Sequence, residues 1–181
     1  MFVVENVTNI AYVGIGSNLG DRAGYLLMGI RGLIEASLEV VKLSSVYETD
    51  AVEMEGAPPF LNMVAEVKTG TISPTQMMAR MLRIEYLLGR KDKSQKLPRT
   101  IDLDLLFYGD ARLDTPFLTL PHPRVHLRNF VLIPMNEIAP AFRHPTLKKC
   151  ISELVADTDD TSLVIRWNPT GPNGIRPLAN S

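Results

Sequence analysis

Cysteine occurs once in the 181 residues, at Cys150, and histidine three times, at His122, His126 and His144. A lone thiol excludes an intramolecular disulfide framework and any multi-cysteine zinc cluster, and it suits a reducing compartment. The three histidines are read as too scattered to make zinc the expected metal. The formal net charge is −1, so no overall basic field marks the chain as a nucleic-acid binder. No apolar run approaches the roughly 18 residues of a membrane span. The N-terminal "MFVVENVTNIAYVGIG" has neither a basic leader nor a long apolar core. The expectation is a cytoplasmic protein without membrane, nucleic-acid or obligate protein partners. Hydrophobic content of 45% and charged content of 22% are ordinary for a globular chain of one domain.

The pattern along the chain is more informative. "IAYVGIGS" (10–17) reads as a strand, and Leu26, Ile30, Leu33 and Ile34 then recur at helical spacing behind Asp21, a suitable N-cap. "VVKLSSVYET" (40–49) and "FLNMVAEVKT" (60–69) read as strands separated by a Gly/Pro-bearing loop. A second helix opens with Ser73 as N-cap and Pro74 at its first position, with Met77, Met81, Ile84 and Leu88 as its core stripe. The polar loop "KDKSQKLP" leads into the strand of "PRTIDLDLLFYG". The order β-α-β-β-α-β is the ferredoxin-like arrangement, an α+β fold with two helices on one face of an antiparallel sheet and the other face left for a ligand. A C-terminal extension follows, with a helical "NFVLIPMNEI" and a late strand "SLVIRW". Residues 1–166 are expected to form a single domain, and the Pro/Gly-rich stretch 167–181 a loosely held tail.

Chemistry concentrates around Asp102 and Asp104. Strand alternation puts both carboxylates on one face and Ile101, Leu103 and Leu105 on the other. Carboxylates about 6.5 Å apart repel unless cations sit beside them. The motif alone fits a solvated acidic edge as well as it fits a metal site. Just upstream, Arg80, Arg83, Arg90, Lys91, Lys93, Lys96 and Arg99 stand against only Glu85 and Asp92. Alone this run fits a solvated helix face and loop better than a binding surface. Beside paired aspartates it describes a polyphosphate site, with carboxylates for Mg²⁺ and arginines for phosphate oxygens.

Other features exclude. Gly14, Gly16 and Gly20 are spaced one residue too long for G-x-G-x-x-G, and no G-x-x-x-x-G-K-[ST] occurs. These glycines read first as a tight strand-to-helix turn and second as a ligand contact. His122, between two prolines and near Arg124 and Arg128, fits a packing role and a phosphate donor equally.

The segments "AYVGIGSNLGDR", "SSVYET", "FLNMVAEV", "PRTIDLDLLFYG", "LPHPR" and "RNFVLIP" resemble, in order and spacing, the 6-hydroxymethyl-7,8-dihydropterin pyrophosphokinases of folate biosynthesis. The resemblance spans roughly residues 10 to 145. It implies a ferredoxin-like fold and transfer of pyrophosphate from ATP to the pterin hydroxymethyl group, releasing AMP. It further implies that Asp102 and Asp104 hold two Mg²⁺ ions and that Arg90 and Arg99 are catalytic phosphate contacts. Glu85, Thr119, His122 and Arg128 would be further ATP contacts. Asn62, Thr49 and Val52 would hold the pterin's polar edge, and Phe60 and Phe130 would sandwich its ring. The chain departs from the family at Gln95-Lys96-Leu97, without the tryptophan that closes over the pterin, and at Asp50-Ala51, where prolines are common. Two other classes fit parts of the pattern. A non-catalytic pterin or nucleotide binder is disfavoured by the intact Asp102, Asp104, Arg90 and Arg99. A metal-dependent nuclease is disfavoured by the neutral charge and the Phe60/Phe130 pair.

Overall fold

The computed structural model describes residues 9–51, 56–90 and 97–169. Val52, residues 91–96 and the tail from 170 lie outside these, as do the expectations placed on them.

The first strand, β1 (Ile10–Ser17), is central. Its alternation sends Ala11, Val13 and Ile15 into one core and Tyr12 into another. Gly20, at φ +68, turns the chain out of the strand, a conformation that costs a glycine nothing. Asp21 then accepts from Gly24 N at 3.0 Å and starts α1 (Arg22–Glu35). Leu26 and Leu33 are buried and Ile30 packs beside them, whereas Ile34 is exposed. The stretch expected as one strand over 40–49 is two, β2 (Glu39–Leu43) and β3 (Tyr47–Thr49). Ser44 makes the break. Its Oγ accepts from Val64 N and its own N donates to Val64 O, so a side chain takes over one rung of the ladder. Both strands pair with β4 (Phe60–Lys68).

Helix α2 (Pro74–Leu87) begins in a full capping box between Ser73 and Gln76. Met77, Met81 and Ile84 face the core. The chain returns through β5 (Asp102–Tyr108), antiparallel to β1. The sheet order β5-β1-β4-β3, with β2 beside β4, is the ferredoxin-like one, and the late strand β8 (Val164–Arg166) is added outside β3. A small ribbon of β6 (Leu113–Asp114) and β7 (Thr119–Leu120) follows β5.

α1 and α2 cover one face of the sheet, as expected. The C-terminal extension shares out the other. α3 (Asn129–Ile138) packs on β4, and α4 (Ile151–Asp157) packs on α3. They close a second core of Tyr12, Val64, Leu106, Phe107, Leu132, Met135 and Ile151. This accounts for a β4 that alternates in sequence yet is buried along both sides. Of the face expected to be free, only a half is therefore left open, at the end of the sheet beyond α3. Trp167, counted with the tail by sequence, packs against the first core and donates its backbone N–H to Val46 O. Adding a strand at the β3 edge drew it in.

Candidate active site

The open end of the sheet has a floor without side chains. Gly16 lies between Asp102 on β5 and Asn62 on β4, and Gly14 between Asp104 and Val64. Both sit inside β1, so the turn reading holds for Gly20 alone. A Cβ on Gly16 would come within 2.8 Å of Asn62 Oδ1 and 3.6 Å of Phe60. A side chain there would fill the cleft that Gly14, Gly16, Asn62, Asp102, Asp104 and Phe130 line.

Asp102 and Asp104 share the cleft face, with Ile101, Leu103 and Leu105 buried behind them. The register shifts between Tyr12 and Val13, leaving Leu106 without a partner on β1. Alternation itself puts Leu106 on the cleft side, where it ends the acidic row, and the slip turns Phe107 to the same face, into the second core with Tyr12.

Cations offset the charge. Arg90 binds Asp102 Oδ1, and Arg99 reaches Asp102 Oδ2 at 2.7 Å. Glu85, buried in α2, accepts from Leu103 N at 2.6 Å and pairs with Arg90 at 3.1 Å. Its carboxylate thus ties α2 to β5 and holds Arg90 beside Asp102. Arg99 is fixed through its backbone: its N–H donates to Asn18 Oδ1 at 2.8 Å, and its carbonyl accepts from Asn18 N. Asn18 Nδ2 also donates to Pro58 O. Among the described residues, Arg99 Nε is a buried donor with no partner. A buried unpaired donor is costly, and a phosphate oxygen would satisfy it.

On the other side of Gly16, Asn62 Nδ2 donates to Thr49 Oγ1 at 2.8 Å, which turns the amide oxygen toward the floor. Phe60 lies under the Arg99 guanidinium at 4.9 Å, and Phe130 beside that of Arg128 at 5.4 Å. Phe130 is at the start of α3, where Asn129 N donates to Asp160 Oδ2 at 2.6 Å. Thr119 and His122 line a neighbouring cavity of about 410 Å³ with Arg112, Asp114, His126 and His144. It adjoins the acidic strand, since His122 N donates to Leu106 O.

The structure therefore gathers Glu85, Arg90, Arg99 and Asp102 into one network and sets Asp104, Thr49, Asn62 and Phe130 about the same floor. Sequence reasoning gave Gly16 only a secondary reading as a ligand contact and did not single out Asn18 or Asp160. The roles of Gly16 and Asn18 need the β1 neighbours, and the partner of Asp160 is 31 positions away.

The fold is an α+β sandwich whose sheet end joins an acidic, arginine-bound strand to a slot lined by Phe130 and Asn62. The model of the 7,8-dihydro-6-hydroxymethylpterin-pyrophosphokinase (HPPK) family matches residues 12–140. A 2-amino-4-hydroxy-6-hydroxymethyldihydropteridine pyrophosphokinase of Bacillus subtilis is 43% identical over 133 residues, covering 73% of this chain and 79% of the relative. One of Aquifex aeolicus is 39% identical over 142 residues, covering 78% and 88%. Among solved structures, wild-type Plasmodium falciparum HPPK-DHPS with pterin and p-hydroxybenzoate superposes with a TM-score of 0.65 at 19% identity, over 84% of this chain and 43% of that one. The chain belongs to the HPPK family.

Proposed function

We propose that this chain transfers the terminal pyrophosphate of ATP to the hydroxymethyl oxygen of 6-hydroxymethyl-7,8-dihydropterin, releasing AMP, in the cytoplasmic synthesis of folate. The observation that carries the reading is the shared floor: Asp102, bound to both Arg90 and Arg99, lies across Gly16 from Asn62. The phosphate-handling group and the pterin-reading amide are thus one strand apart.

The hydroxymethyl oxygen bonds to the β-phosphorus of ATP as the bond from that phosphorus to the oxygen bridging the α-phosphate breaks. The hydroxyl proton leaves to solvent, and AMP carries away the bridging oxygen. Such transfer depends on positioning and charge stabilisation more than on covalent help. Thr49 fixes the Asn62 amide, which reads the pterin edge, while Phe60 and Phe130 hold the ring flat. Arg90 and Arg99 pass from Asp102 to the phosphates as ATP enters. Thr119, His122 and Arg128 bind the remainder of the nucleotide, and Glu85 keeps Arg90 within reach.

Asp102 and Asp104 offer hard oxygen donors on one strand face, which suits Mg²⁺. Two bound ions would neutralise charge on the attacking and leaving oxygens. The arginines that pair with Asp102 are the counter-charge such ions would replace.

The test is mass spectrometry of the protein with ATP, Mg²⁺ and the pterin. AMP and pyrophosphorylated pterin should accumulate in equal amounts, and Asp102→Asn and Asp104→Asn should each lower turnover at least about a hundredfold with the fold retained. ADP as the product, or binding of both substrates without AMP, would overturn the proposal. So would near-normal turnover in both variants.

A further inference from the structure

The pterin-facing ring of Phe130 depends on a helix end that its own helix does not cap. Arg128, at the N-cap position of α3, gives no side-chain cap hydrogen bond. The exposed first amides of a helix need an acceptor, and a missing one loosens the first turn. Here the acceptor comes from the segment after α4. Asp160 Oδ2 accepts from Asn129 N at 2.6 Å, and its backbone oxygen accepts from Asn129 Nδ2. The carboxylate is itself held, since Asp160 Oδ1 accepts from Ser162 N at 2.9 Å and from Ser162 Oγ. Burial opposes the charged form of Asp160, but the hydrogen bonds from Ser162 and Asn129 and the nearby Arg128 charge outweigh it and lower its pKa.

Resting on the pterin assignment above, we propose that Asp160 is a positioning residue for pterin binding, acting as a remote cap that fixes the first turn of α3 and hence Phe130 over the cleft. The family match ends at residue 140, so a residue outside it would complete the substrate site. Asn129 and Phe130 are adjacent, and Phe130 lines the cleft with Asn62, Asp102 and Asp104. A displaced first turn would move the ring, with Arg128 beside it, and leave Asp102, Asp104, Arg90 and Arg99 in place.

The experiment is titration of the pterin into Asp160→Ala and Asp160→Asn with a non-hydrolysable ATP analogue present, well below the melting temperature, together with steady-state kinetics. The alanine variant should weaken pterin binding and raise the pterin KM about fivefold, the equivalent of a lost cap, with kcat within about twofold and the ATP KM, to which Arg128 contributes, rising by less than the pterin KM. The asparagine variant should stay within about twofold of wild type, because its amide oxygen can still accept from Asn129. Hydrogen exchange at residues 129–131 should quicken in the alanine variant alone. Should that variant fail to fold, Ser162→Ala, which removes the support of the carboxylate, should weaken pterin binding about twofold. A folded Asp160→Ala with wild-type pterin affinity would overturn the proposal, as would an asparagine variant as weak as alanine. An unaffected Ser162→Ala, where it stands in, would do the same. Failure of the wild-type protein to bind the pterin would instead remove the pterin assignment of the cleft.

Discussion

Gly16 carries more of the site than its size suggests. It stands on β1 between the two strands that bring Asp102 and Asn62 to one surface, and it presents only a hydrogen there. A methyl group there would come 2.8 Å from Asn62 Oδ1, so either the amide turns away from Thr49 or the strand shifts. Overpacking of this kind costs about 1–3 kcal/mol. Gly16→Ala should therefore lower pterin affinity about tenfold while ATP affinity stays within about twofold, as read by titration calorimetry of each ligand. Equal losses for both would show that the floor serves the nucleotide as much as the pterin. Gly14 offers a contrast, because a Cβ there meets Leu106 at an ordinary 3.5 Å.

At the scale of elements, most of the framework follows from local rules. Asp21 and Ser73 cap α1 and α2 as their sequences specify, and Pro74 falls at the start where its missing N–H does no harm. The turn after α3 is different. His144 is buried, with Nδ1 accepting from Thr146 N and Leu147 N and its ring edge-on to Phe107 and His126. Burial pushes its pKa down to about 4, with His126 adding to the effect. The unfolded chain binds a proton near pH 6.5 that the folded chain refuses until about 4. Its contribution is thus full above pH 6.5 and is lost as pH falls through that window, by roughly 3 kcal/mol. Urea unfolding across pH 4–7 should show a steeper acid loss in the wild type than in His144→Asn, which keeps an acceptor but cannot titrate. Parallel pH profiles would remove His144 from the account.

The whole molecule has two cores that share one sheet. Ile15 packs under α1, whereas Ile151 packs in the second core with Leu132 and Phe107. Because the sheet separates them, Ile15→Val and Ile151→Val should each cost about 0.5–1.5 kcal/mol and add within about 0.5 kcal/mol in the double variant. Denaturant titration of the two single variants and the double checks this, and a coupling energy above about 1 kcal/mol would mean that the two layers act as one. Among the described residues no helix is long and apolar enough to cross a membrane.

The sequence by itself determined the βαββαβ order, both capped helices, the strand faces of Asp102 and Asp104 and, through a distinctive motif set, the family. All of these depend on period, cap chemistry or residues close in the chain. Only the tertiary structure decided that Ser44 splits a strand, that Gly14 and Gly16 form a floor, and that Glu85 and Asn18 hold the two arginines. It alone set Asp160 against the helix that carries Phe130. Each of these last features is a contact between residues distant in sequence, whose partners become visible only when strand register and helix packing bring them together. Local propensity has no access to such a pairing, because the free energy that selects it belongs to the packed sheet and not to any one segment.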